Sequence, residues 1–181
     1  MADESEKTLR DRGMILLCGK VDDVNIKNTA MDLLSVDCKL EADYDHIDLI
    51  INSPGGACDY GFMLVDIIDL CRRPVHITGL GTCASMGFII LCSGEKGHRK
   101  ITKNTALLCH QFSWSFKGKR HELVSQRREE ELLHQRFISH LVKHTKLNKK
   151  DVEKILLPET DVWLSPEQAV EYGIVDEIIK N

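Results

Sequence analysis

Short unbroken apolar runs alternate along the chain with longer stretches that carry apolar residues at every third or fourth position. Each change of rhythm predicts a change of element. Residues 14–17 form an apolar run that ends at Gly19 and reads as a strand. Asp22 and Asp23 are cap candidates for a helix carrying Ile26, Ala30, Leu33 and Leu34. Residues 46–52, HIDLIIN, predict a second strand, apolar enough to be buried in a parallel sheet. Ser53-Pro54-Gly55-Gly56 breaks that strand, and residues 60–71 follow as a mostly apolar helix. Residues 75–79 predict a third strand. A small-residue turn (Gly81, Thr82, Cys83, Ala84) then leads to Ser85, and residues 86–92 fit a short buried helix. Residues 106–112 predict another strand, with His110 near its end. Residues 113–120 are polar and aromatic without a period. Residues 121–145 predict a long charged helix with an apolar stripe at Leu132, Leu133, Phe137, Leu141 and Val142. A short helix is expected over 149–156, and Ser165-Pro166-Glu167-Gln168 carries a capping box for a last helix that stops at Gly173. Strands alternating with helices imply βαβ units around a parallel sheet.

Composition narrows this only in places. The 181 residues suit one domain, with residues 1–12 expected as a mobile polar arm and 13–181 as the folded unit. A net charge of −4 gives no footprint for nucleic acid. The opening MADESEK has no apolar core of a signal peptide, and no run reaches membrane-spanning length. Seven cysteines are scattered without a C-x-x-C pair, and Cys18, Cys71, Cys92 and Cys109 sit in apolar stretches. Buried reduced thiols in a cytoplasmic protein are the expectation. No metal or cofactor is expected. His134, His140 and His144 have helical spacing but lack the glutamate of H-E-x-x-H, so they read as a solvated helix face.

Four places carry chemical potential. Ser85 sits between strand and helix, where a tight turn lifts a hydroxyl clear of the backbone. The spacing is not the strict G-x-S-x-G elbow, because Cys83 stands where that motif has its first glycine; Cys83 is itself a minor candidate nucleophile. Gly55 and Gly56 end a strand at the sheet's carboxyl edge and can present bare N–H groups to an anion. His110 ends another strand. Asp161 precedes a Val-Trp-Leu run. Each also has a plain reading, as cap, turn or core residue. A Ser/His/Asp set needs a base for the serine proton and an acid to orient the base, and spacing along the chain does not bring the three together.

Several strings, in this order and spacing, resemble the ClpP family, the serine peptidases of the Clp system. They are INSPGG (51–56), ASMG (84–87), GEKGHR (94–99), His110-Gln111, and D-x-x-L-S with AVEYG (161–165 and 169–173). The resemblance runs from about Gly13 to Ile178. It implies an α/β, crotonase-like fold of repeated β-β-α and βαβ units with a protruding handle, the long helix plus a strand. It implies Ser85 as nucleophile, His110 as general base and Asp161 as orienting acid, with the N–H groups of Gly56 and Met86 as oxyanion hole. Gly55, Gln111, Phe112, Ser113 and Trp114 would form the edge that binds an extended polypeptide as an added strand.

The implied activity is an ATP-dependent-type serine endopeptidase acting on unfolded proteins and peptides inside a homo-oligomeric chamber. The assembly would be a heptameric ring, single or stacked, with an AAA+ Clp ATPase as candidate partner. The chain departs from the family at Phe112, Trp114 and Ser115, where Pro and a Gly-Gly pair are usual. It departs again at Thr160, often an arginine that pairs across rings, and at Asp48 and Ile50, where aromatic residues help dock the ATPase. Alternatives are a dormant structural ring subunit, a specialised peptidase such as one processing phage scaffold, and a crotonase-type acyl-CoA enzyme, whose coenzyme A signals are absent here.

Overall fold

The structure, a computed structural model, describes residues 8–40, 42–115 and 117–180. Seven strands make one sheet: β1 Met14–Cys18, β2 Ile47–Ser53, β3 Val75–Ala84, β4 Arg99–Thr102, β5 Ala106–Cys109, β6 Val162–Leu164 and β7 Glu177–Ile179. The helices are α1 Asp23–Asp37, α2 Cys58–Leu70, α3 Met86–Cys92, α4 Arg120–His144, α5 Lys149–Asp151 and α6 Pro166–Glu171; α5 runs on into a π-helical turn, Val152–Leu156. The strand order is β1-β2-β3-β4-β7, parallel throughout. β3 is long enough to hold two partners on one side. Its first half pairs with β4 and its second with β5, and β5 pairs antiparallel with β6.

The fork has a local cause. Ile51 pairs with Gly79 but Ser53 pairs with Cys83, so β3 carries extra residues opposite Asn52. Gly81, at φ 60°, makes the bulge, and Asn52 Oδ1 accepts the Thr82 N–H at 3.2 Å. A bulge bends and twists its strand, which redirects the far end of β3 toward β5.

The predicted caps form. Asp22 Oδ1 accepts the Asn25 N–H at 2.9 Å. Ser165 and Gln168 close their box in both directions, at 2.9 and 3.2 Å. The alternate residues Ile47, Leu49 and Ile51 of β2 are buried with Ile15, Leu17, Val75 and Ile77 in one core shared with α1, α2 and α3. Phe88, Ile89 and Ile90 of α3 lie at its centre, each no more than 1 % exposed. The opposite face of the sheet is open in the single chain: Leu16 is 56 % exposed, and Asp48 and Ile50 are half-buried. A β2 buried on both faces is therefore not observed.

Other expectations change. Residues 1–7 of the anticipated arm lie outside the described residues, but Leu9–Arg12 form a 3₁₀ turn rather than arm. Thr8 and Asp11 cap it, and ion pairs Arg10–Asp32 (3.0 Å) and Lys39–Asp11 (2.6 Å) dock it on α1 and the residues that follow it. β5 ends at Cys109 rather than residue 112, because β3 turns away at Ser85 and leaves no partner beyond Leu108. For the same reason the handle has its helix, α4, but no strand among the described residues of 111–119. Leu34, Leu132 and Val142 face outward. Cys18 is exposed and Cys71 half-buried, while Cys83, Cys92 and Cys109 are buried; all seven thiols are free.

The region around α4's carboxyl end is tied by one cation. Arg99, 3 % exposed, donates Nε and Nη2 to the two Asp176 oxygens at 2.9 and 2.7 Å, and Nη1 to the His144 carbonyl at 2.5 Å. Burial works to raise the Asp176 carboxyl, but the hydrogen bonds and charge of Arg99 hold it below its ordinary value. His140 and His144 are not on a solvated face. Their rings stack at 4.5 Å inside the core, and His140 Nε2 lies 2.9 Å from the Ile89 carbonyl. Burial, then the positive neighbours His140 and Lys143 for His144, brings both to about 4 from an ordinary 6.5. Between those values the unfolded chain binds more protons than the folded one, so stability rises with pH there. Thermal unfolding followed against pH is expected to show the midpoint falling as pH drops from about 6.5 toward 4, with a flatter slope in His144→Gln.

Candidate active site

Ser85 is the only non-glycine residue with positive φ among the described residues (φ 54°, ψ −122°). Such a conformation costs about 1–3 kcal/mol and persists only where its surroundings fix it. Here both sides do. The Ser85 N–H donates to the Leu108 carbonyl at 2.9 Å, and its own carbonyl accepts from Phe88 and Ile89 at 3.0 and 3.2 Å. Strand β3 thus passes through one strained residue into the buried helix α3, the geometry that exposes a hydroxyl at a strand–helix junction.

Glycines make the junction possible. A Cβ on Gly55 would sit 2.6 Å from both the Ala84 carbonyl oxygen and Ser85 Cβ, and one on Gly56 would sit 2.3 Å from the Val21 carbonyl oxygen. Gly61 of α2 and Gly87 of α3 are equally tight, against Met86 and the Ser53 carbonyl. The Gly55–Gly56 loop is held from the other side by Val21, whose N–H donates to Gly55 at 2.9 Å and whose carbonyl accepts from Ala57 at 2.8 Å. The N–H groups of Gly56 and Met86 have no acceptor among the described residues.

Ser85 and Gly56 share a cavity of about 430 Å³ with His110, Phe112, Ser113 and Trp114. A hydroxyl and an imidazole on one cavity, with free backbone donors at the same junction, are the groups that proton transfer and the holding of a developing oxyanion require. His110 lies one residue past β5, and its Nδ1 is 2.5 Å from the Gln111 carbonyl. Asp161 is exposed, stands outside the cavity lining, and has no hydrogen bond or ion pair among the described residues. The ladder nevertheless brings it close. The β5–β6 ladder ends at the Cys109–Val162 pair, with His110 and Asp161 the next residue on each strand, and Ser85 follows Ala84, which pairs with Leu108 of β5. The three side chains therefore end three adjacent strands, but they are not joined by hydrogen bonds in the single chain.

The rest of the expected edge divides. Phe112, Ser113 and Trp114 line the cavity; Gln111 instead donates Nε2 to the Leu157 carbonyl at 2.9 Å, and Gly55 packs behind the junction. Cys83 does not reach the cavity. It is fully buried, its thiol pushed up to about 12 by burial, and it contacts the Ile51 carbonyl. The cavity has a wall that was not anticipated: Glu129, Leu132, Leu133 and Arg136 of α4. Their i, i+3, i+4, i+7 spacing was visible in the sequence as a helix face, but two charged members hid its role. Arg136 lies over the Phe62 ring at 5.1 Å.

A strained serine junction at the carboxyl edge of a parallel sheet places the molecule among α/β proteins whose site is built where strand gives way to helix. The family model described as Clp protease matches residues 1–181, and the chain belongs to that family. The family is one of peptidases that act on polypeptides in oligomeric rings. No helix of the described residues is long and apolar enough to cross a membrane.

Two tests address this construction. Gly55→Ala places a methyl against Ala84 and Ser85 at φ 87°, so it is expected to lower stability by more than about 1 kcal/mol, read by denaturant unfolding. Native alkylation followed by peptide mapping is expected to modify Cys18 and Cys38 well before Cys83, Cys92 and Cys109.

Proposed function

We propose that the chain is a serine endopeptidase in which Ser85 is the nucleophile, His110 the general base and Asp161 the orienting acid. The observation that carries this reading is the strained Ser85 junction, with His110 on the same cavity and free N–H groups at Gly56 and Met86. A polypeptide adds along the edge formed by Phe112, Ser113 and Trp114. Ser85 Oγ attacks the scissile carbonyl while His110 Nε2 takes its proton. The Gly56 and Met86 N–H groups receive the oxyanion; losing one such donor costs about 3–4 kcal/mol of transition-state stabilisation. His110 then protonates the leaving amine, and water activated by His110 hydrolyses the acyl-enzyme. Asp161 holds Nδ1–H and stabilises the imidazolium.

In this reading the working form is a ring of identical subunits, heptameric and single or stacked, served by an AAA+ ATPase that delivers unfolded chains. The open sheet face supports assembly, because it leaves surface that the single chain does not cover. In the single chain His110 Nδ1 faces the Gln111 carbonyl instead of Asp161. That contact favours a second reading, a subunit dormant until assembly rotates the ring toward Asp161.

A fluorophosphonate probe applied beside a native-mass measurement separates these. The first reading expects labelling of the assembled protein that vanishes in Ser85→Ala, with peptide hydrolysis reduced on the order of 10⁴-fold or more in Ser85→Ala and His110→Ala and about 10⁴-fold in Asp161→Asn. Labelling confined to the assembled fraction supports assembly-dependent alignment. No labelling in a well-formed ring overturns the autonomous peptidase.

A further inference from the structure

The open face of the sheet carries a cluster that the peptidase chemistry does not use. His46 precedes β2, Asp48 is its second residue, and His76 is the second residue of β3; Asp48 and His76 are paired neighbours in the ladder. Strands in a sheet lie about 4.7–4.9 Å apart, so register alone sets these two side chains side by side. His46 stacks on His76 with ring centroids 4.1 Å apart, and His98, next to β4, stacks on the far side of His76 at 3.9 Å. One ligand atom from each of His46, Asp48 and His76 lies within 4.8 Å of the other two.

The hydrogen bonding around His46 decides which nitrogen is available. Asp45 Oδ1 lies 2.5 Å from His46 Nδ1, so in the neutral ring it accepts the Nδ1 proton and the Nε2 lone pair faces Asp48 Oδ2 at 3.6 Å. Two acceptors facing each other at that distance repel, and either a metal cation between them or a second proton on the ring relieves the contact. The carboxylate on the remote nitrogen is the arrangement that orients a metal-bound histidine and strengthens it as a ligand. Two imidazoles with one carboxylate suit zinc and its neighbours in the first transition row, and not calcium or magnesium, which take oxygen ligands.

We propose that His46, Asp48 and His76 form a surface site for a divalent transition metal of the zinc class, assembled across β2 and β3, with Asp45 as its outer partner. The metal draws the three ligand atoms in to the spacing that bonds of about 2.0–2.2 Å require. Three protein ligands leave a position open to water or to a group from another molecule. Bound there, the ion pins the amino ends of two central strands on the face that the single chain leaves uncovered. A reading of residue spacing along the chain finds no metal motif, because the ligands come from two strands 28 residues apart. The proposal stands independently of the proposed peptidase activity.

The test uses the untagged full-length chain and zinc alone. Zinc uptake is measured by isothermal titration for the wild type, for His46→Ala/His76→Ala, for Asp45→Asn and for His121→Ala, an exposed histidine elsewhere. The cysteines contribute equally to all four. The wild type is expected to bind one more zinc per chain than the double variant, and to show a zinc-dependent rise in thermal midpoint that the double variant lacks. Asp45→Asn is expected to weaken that site about 10-fold or more, and His121→Ala to leave it unchanged. Circular dichroism and the metal-free midpoint establish that the double variant folds. Cobalt in the same site is expected to give visible bands of nitrogen and oxygen ligation without thiolate charge transfer. Equal zinc uptake by wild type and double variant overturns the proposal and leaves a protonated His46 between two carboxylates as the account of the cluster.

Discussion

The close contact between the Gly55–Gly56 loop and the Ser85 junction is the constraint on which the rest of the molecule turns. Backbone meets backbone there with no room for a Cβ, and each side fixes the other. Val21 holds the loop from below, β5 holds Ser85 from the side, and α3 begins at once beyond it. A strained φ survives only when over-determined in this way. The same closeness sets the unpaired Gly56 N–H on the cavity that Ser85 lines, so the strain and the site are one feature.

The outer parts follow from keeping that junction rigid. Helix α3 is buried along its whole length, which makes Ser85 the end of a fixed rod rather than a loop residue. Arg99 fastens the far end. It bonds the His144 carbonyl at the end of α4 and Asp176 at the start of β7, so α4, which supplies a cavity wall, is anchored at the carboxyl end through a buried charge. Removing one partner of such a pair is usually costly by about 3–5 kcal/mol, because the other is left buried and unpaired. The aromatic contacts Phe62–Phe137 and Phe112–Phe137 carry the anchoring forward to the cavity.

What is unfinished in the single chain is equally regular. The parallel sheet has one uncovered face, the edge beyond Cys109 has no strand beside it, and His110 bonds its own neighbour's carbonyl. The departures at Phe112, Trp114 and Ser115 fall on that same edge, where the Phe112 ring stacks on Phe137 of α4 and meets Trp114 edge-on.

The sequence by itself determined most elements, because their signals are local. Asp22 and Ser165 cap helices through bonds to residues three positions on, Gly173 ends one at φ 72°, and the run at 86–92 lies in the core, as do Ile47, Leu49 and Ile51 of the second strand. It also marked Ser85, Gly56 and His110, since a small-residue turn, a glycine pair and a strand-end histidine are readable one segment at a time. The tertiary structure decided what depends on pairing between segments. The bulge opposite Asn52 sends β3 to two partners, the pairing of β5 with β6 brings the segment that follows Asp161 to the strand that precedes His110, and strand neighbours gather His46, Asp48 and His76. His140 and His144 looked like an exposed face because helical spacing does not say which way a helix turns its stripe; packing against Ile89 and Phe62 does.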